Sequence, residues 1–269
     1  MANRSYLYSL SNRPTTYEDR PESICGLSEC PYYVPFIYRL LLSGDPQLCA
    51  SLVADGFEDD EPGHKSKLYA ISSPFDPGFE RVRRFADIVR AAVSLPPSIE
   101  LQVNAPQPKG SLLERLKRLF FAKPAIATTE SPAKPVAVAE LLAALDESIA
   151  FLEAHRDCYL LLETIELDSM LLFEEAELKD SVEEEIARCR YIGRAIDALP
   201  NDLMQAGQVL KRAATQKSAP PFDALFGLHL DDDYDSTYND ATQYPLGLEW
   251  DENLYFEVLN LSEFQAQKN

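Results

Sequence analysis

Residues 138–269 carry 28 carboxylates against 9 cationic side chains, whereas residues 1–121 are almost balanced at 15 against 14. The stretch between them adds +1, so the whole excess of −19 lies in the second half of the chain. This segregation constrains the fold more than any other feature. Residues 138–185 alone hold 15 acids and 2 bases, and like charges one helical turn apart cost a few tenths of a kcal/mol per pair. Helices built from this region must turn their carboxylates to solvent, or something basic must meet them. The chain's own arginines, in the 81–90 or 111–118 segments, are one source of that charge, and a separate protein is the other. A strongly negative field repels nucleic acid and anionic lipid and attracts basic partners. Solubility is the plainer explanation of the charge, but it does not require the separation.

Hydrophobic periodicity divides the rest. Arg4 to Leu10 is short and aromatic and reads as a strand. Pro14, Pro21 and Pro31 then punctuate a loop. Val34 to Ser43 reads as a buried helix that Gly44 ends. Asp45 fits the N-cap, and Pro46 the first turn, of a second helix running to about Ala54. Lys67 to Ser72 reads as a strand. From Pro77 to Leu95, Phe79, Val82, Phe85, Ile88, Val89 and Ala92 recur at helical spacing. Residues 111–118 form a short basic amphipathic segment. Residues 122–137, rich in Ala and Pro, read as a linker between an N-terminal α+β region (1–121) and an acidic helical region (138–269), or as a long loop inside one domain.

Further helices are expected over Val138–His155, over Ser181–Leu199, and from an Asn201 or Asp202 cap to Thr215. Cys158 to Leu162 fits either a strand or a helix extension. Leu246–Trp250 and Leu254–Leu259 alternate as a C-terminal hairpin with a three-residue turn. The fold class expected is therefore α+β: helix-rich, with a small, mainly antiparallel sheet that includes the N-terminal strand and that hairpin.

No chemistry-bearing motif emerges. With 10 glycines the chain has neither a dinucleotide nor a Walker loop, and no nucleophile elbow. Five cysteines at irregular spacing argue against a disulfide framework, and His155 with Cys158 is one pair without the second pair that a closed zinc site needs. No cofactor and no metal are therefore expected. Asp231-Asp232-Asp233-Tyr234-Asp235 has the look of a calcium loop, but Ser236 stands where such a loop has glycine and Thr242 where it has its closing glutamate. Aspartates around Tyr234, with Tyr238 nearby, instead suit a contact loop for a basic protein. Glu174 and Glu175 belong to the second acidic block; paired carboxylates there could also serve acid–base chemistry. Trp250 and Tyr255 are candidates for either partner contact or core. The polar N-terminus lacks a secretory signal, and the apolar run Tyr32–Leu42 is too short to span a bilayer, so a cytoplasmic protein is expected.

The opening Met1-Ala2-Asn3-Arg4-Ser5-Tyr6-Leu7-Tyr8 and the later Val34-Pro35-Phe36-Ile37-Tyr38-Arg39 to Pro46 resemble a group of uncharacterised bacterial proteins. Some of these look like immunity proteins encoded beside polymorphic toxins. The resemblance covers roughly the first 50 residues and implies neutralisation of a toxin or effector domain, and the acidic excess suits a basic one. The alternatives are a carboxylate-based or metal-dependent enzyme, and a regulatory adaptor.

Overall fold

Strand β1 (Arg4–Leu10) sends Tyr6, Tyr8 and Leu10 to one side and Leu7, between Ser5 and Ser9, to the other, and all six are buried. A strand covered on both faces needs a layer on each. The computed structural model, which describes residues 3–58, 65–95, 138–170, 172, 174–215 and 249–268, supplies both.

The main sheet has five strands, ordered β2-β1-β7-β6-β3, and every neighbouring pair is antiparallel. They are β1, β2 (Ile24–Pro31), β3 (Gln47–Ala50), β6 (Tyr69–Pro74) and β7 (Tyr159–Glu163). A two-residue pair, β4 (Phe57–Glu58) with β5 (Lys65–Ser66), stands apart. Strand β7 lies in the middle, pairing Leu162 with Leu7 on one side and with Ile71 on the other. The stretches before and after residues 122–137 thus share one sheet. This resolves the ambiguous 158–162 segment as a strand. A short apolar run buried on both sides has no periodicity that separates strand from helix.

The helices are α1 (Phe36–Leu42), α2 (Phe75–Ser94), α3 (Val138–Ala154), α4 (Ile165–Asp168), α5 (Glu175–Asp197), α6 (Leu203–Thr215) and α7 (Leu261–Lys268). Against one face of the sheet, α1, α2, α3, α5 and α6 build a core from Leu7, Leu160, Leu162, Phe36, Phe79, Phe85, Leu145, Ile186 and their neighbours. Every residue of α1 is buried. A Cβ on Gly78 of α2 would overlap the Leu41 carbonyl, so α1 and α2 touch backbone to backbone there. The caps behave as read at α6, where Asp202 Oδ1 accepts the Gln205 N–H at 2.8 Å. No helix among the described residues is long and apolar enough to cross a membrane.

Four expectations are corrected. The segment after Asp45 is strand β3, not a helix. Asp45 does not cap; its N–H donates to Ser73 Oγ at 2.9 Å, and Gln47 to Ala50 pair along β6. Tertiary pairing overrides the local cap chemistry. Residues 24–31 form β2, not loop, because an edge position beside β1 tolerates Gly26 and the serine. Helix α5 begins at Glu175, six residues earlier than expected. The C-terminal hairpin does not form: no strand is assigned over 249–260. That segment is a strap around the β2 edge. Trp250 packs on the helical side, the Asp251 N–H donates to the Leu27 carbonyl, and Leu254, Phe256 and Val258 cover Tyr6 and Tyr8 on the opposite face. The alternation was real, but it records one buried side, not a ladder partner. The linker candidate 122–137 and the basic 111–118 segment lie outside the described residues.

Gly78→Ala should therefore cost about 3 kcal/mol or more, because a backbone carbonyl cannot rotate away as a side chain can. Urea unfolding measures it, and a change within about 0.5 kcal/mol, the range of ordinary surface substitutions, would contradict the tight crossing.

Candidate functional site

The carboxylates fall into two groups. Many meet the chain's own arginines. Arg39 of α1 holds Glu185 of α5 at 2.6 Å, and both are largely buried. Arg81, Arg90 and Arg83 of α2 reach Asp197 (2.7 Å), Asp146 and Glu153 (3.5 Å), and Arg156 reaches Asp76 at 2.8 Å. The imbalance between the halves is thus partly neutralised in space by α2, as one of the two sequence-based alternatives required.

The second group lies on the N-terminal half of α5. Glu177, Asp180 and Glu184 share one exposed stripe at helical spacing, and Glu174 precedes it at the helix start. Glu174, Glu177 and Asp180 form no ion pair among the described residues, and Glu184 lies 4.0 Å from Arg188. Acids in the first turns and the arginines Arg188, Arg190 and Arg194 in the later ones both suit the helix dipole. Glu175 turns inward, accepting the Lys67 N–H at 2.9 Å and the Tyr69 hydroxyl at 2.8 Å. It ties α5 to β6. Burial, with the Glu175 hydrogen bond, pushes the Tyr69 hydroxyl up to about 12. Asp231, Asp232, Asp233, Tyr234, Asp235 and Tyr238 lie outside the described residues. Trp250 is a packing residue: its ring stacks on Phe151 and its indole N–H donates to Ser148 Oγ at 2.7 Å. Tyr255 is 57% exposed, with the Arg4 guanidinium 4.7 Å above its ring.

A cleft of about 480 Å³ opens at the β3 edge, between the Arg13–Tyr17 loop and residues 67–69. Arg13, Lys67, Thr15, Thr16 and Tyr69 line it, and Asp55 is the acid among its lining residues. Behind Ser51 of that wall lies Glu163, with no exposed surface. Its Oε2 accepts the Ser51 hydroxyl at 2.8 Å and its Oε1 the Leu52 N–H at 2.6 Å. Burial raises its carboxyl to about 7, while these hydrogen bonds and Arg20 pull the other way. Both oxygens are occupied, so the group pins the 51–52 turn and does not face the cleft. Among the described residues that line this cleft, Asp55 is the carboxylate. Sequence reasoning places Glu163 in the second acidic block, on a solvated helix face; it is instead fully buried at the end of β7, and its position at the end of an apolar run was the available signal.

One cluster has metal-ligand composition. Cys25 of β2, His155 just past α3 and Glu252 of the strap bring Sγ, an imidazole nitrogen and a carboxylate oxygen within 4.8 Å of one another. His155 Nδ1 lies 2.8 Å from the Phe151 carbonyl and Nε2 lies 2.8 Å from Glu252 Oε1.

Residues 11–106 match the family model of a domain of unknown function (DUF7822), a similarity that takes in β2 through α2 but neither β1 nor β7. No curated protein and no solved structure matches the chain.

The sealed Glu163 sets a pH dependence. Its folded value near 7 lies above the ordinary 4.5, so the folded state binds this proton more tightly. The resulting stabilisation is complete below about pH 4.5 and is lost as pH rises to about 7. Relative to Glu163→Gln, the native protein should lose up to about 3 kcal/mol across that window and nothing further above it. Paired chemical unfolding curves from pH 4 to 8 measure this, and a difference that does not change with pH would contradict it.

Proposed function

We propose that this protein binds a cationic macromolecule through its acidic half and, in the manner of an immunity protein, neutralises a basic toxin or effector domain in the cytoplasm. The observation that carries the reading is the exposed stripe Glu174, Glu177, Asp180 and Glu184 at the start of α5, left over after α2 has met its own acids. Pairing within the chain cannot remove the excess, since 25 cations face 44 carboxylates and the net charge stays at −19. Such a stripe raises the encounter rate of a basic partner, and affinity then comes from desolvated contacts beside it. The aspartates 231, 232, 233 and 235 around Tyr234, with Tyr238, are the proposed anchor of that contact. Glu175 acts beneath the surface, holding α5 on β6. The resemblance of the first 50 residues to immunity-like bacterial proteins supports the same reading.

Co-purification with the product of the neighbouring gene tests it. A complex should form at low salt, with an association rate that falls as ionic strength rises. The triple variant E174K/E177K/D180K should slow association at least about tenfold while leaving the thermal melt within a few degrees. Absence of any complex at low salt would remove the reading.

A further inference from the structure

We propose that Cys25, His155 and Glu252 form a zinc-class metal site that fastens the C-terminal strap to the sheet edge, a role independent of the partner-binding surface. The three residues come from three different elements. Cys25 stands on the edge strand β2, His155 follows the last turn of α3, and Glu252 lies where the strap passes around that edge. The approach is permitted by Gly26, on which a Cβ would overlap the Glu252 carbonyl and stand 2.8 Å from Leu254 Cγ.

Three features distinguish this cluster from a chance grouping. The imidazole is oriented as a ligand. Its Nδ1–H donates to the Phe151 carbonyl, the backbone bond that commonly fixes a metal-bound histidine. That tautomer leaves the Nε2 lone pair facing Glu252 Oε1 at 2.8 Å, so two electron-rich atoms confront each other unless a proton or a cation lies between them. The ring packs against Phe151, with centroids 4.1 Å apart and planes inclined by 30°, and Phe151 stacks on Trp250 of the same strap. The spacing needs only small adjustments: tetrahedral zinc sets its ligand atoms roughly 3.3–3.6 Å apart, so Nε2 and Oε1, at 2.8 Å, would part slightly, while all three ligand atoms already lie within 4.8 Å of one another. Glu252, more than half exposed, has room to adjust.

The donor set selects the ion. One thiolate, one imidazole and one carboxylate suit zinc and its neighbours, whereas calcium and magnesium prefer oxygen alone. On binding, the Cys25 thiol gives its proton to solvent and a metal–sulfur bond forms, with no change of oxidation state. Beside the cluster lies a cleft of about 290 Å³ whose lining includes Cys25, Glu252, Glu257, Asn260 and Glu263. Its carboxylates favour a cation, and water completes the shell. Spacing rules cannot find such a site, because its ligands stand at positions 25, 155 and 252.

Titration of the chelator-treated, full-length protein with Co²⁺ tests the assignment. One equivalent should bind with the near-ultraviolet charge-transfer band of a cobalt–thiolate bond, and Zn²⁺ should displace it and raise the melting temperature. Cys25→Ser should abolish the band, and His155→Ala should weaken binding at least about tenfold. Cys158→Ser, an exposed cysteine outside the cluster, should leave both unchanged. Circular dichroism and the metal-free melt of each variant separate ligand loss from unfolding. Absence of a thiolate band in the native protein, or a band that survives Cys25→Ser and disappears in Cys158→Ser, would overturn the site.

Discussion

The fold depends on one insertion, that of Tyr159–Glu163 between β1 and β6. Without β7, the strands from the first 74 residues make two separate antiparallel pairs, β2-β1 and β6-β3, each with an unpaired inner edge. Once β7 is in place, its backbone closes both edges, Leu160 and Leu162 join the helical core, and Leu161 joins the opposite one. Its last residue, Glu163, anchors the 51–52 turn beyond β3. The acidic half of the chain therefore supplies the central strand of a sheet whose other strands come from the balanced half.

The charges follow from that arrangement. Helices α3 and α5 flank the strand that enters the sheet, which sets their acids beside the arginines of α1 and α2. The pair Arg39–Glu185 is buried, where removing one partner is costly, but the pair itself contributes modestly after desolvation. Exposed pairs such as Arg83–Glu153 are worth roughly 1 kcal/mol or less. These pairs thus orient the helices more than they stabilise them. What they leave uncovered, on the first turns of α5, is the surface to which the binding role is assigned.

Much of this was legible in the sequence, and the failures share a cause. Phe79, Val82, Phe85 and Ile88 announced α2, the Asp202 cap announced α6, and the aromatic alternation of Tyr6 and Tyr8 announced β1. Elements defined by distant pairing were not legible. Asp45-Pro46 carries real helix-start chemistry that β6 overrides. Ile24 to Pro31 has no clean alternation because β2 is an edge strand crossed by the strap. Leu254, Phe256 and Val258 alternate because they cover a tyrosine face, and period-two patterning cannot say whether a neighbour is a strand or a surface. The acidic excess was readable, but its division into paired and exposed sets depended on where α2 lies.

Introducing a specific protease site within residues 122–137 of the full-length protein and cutting it tests the central claim most directly. If β7 joins the halves into one sheet, the two fragments will co-elute in gel filtration under native conditions and separate only in denaturant, with a single cooperative melt. Two fragments that elute apart, each with its own melting transition, would contradict a shared sheet.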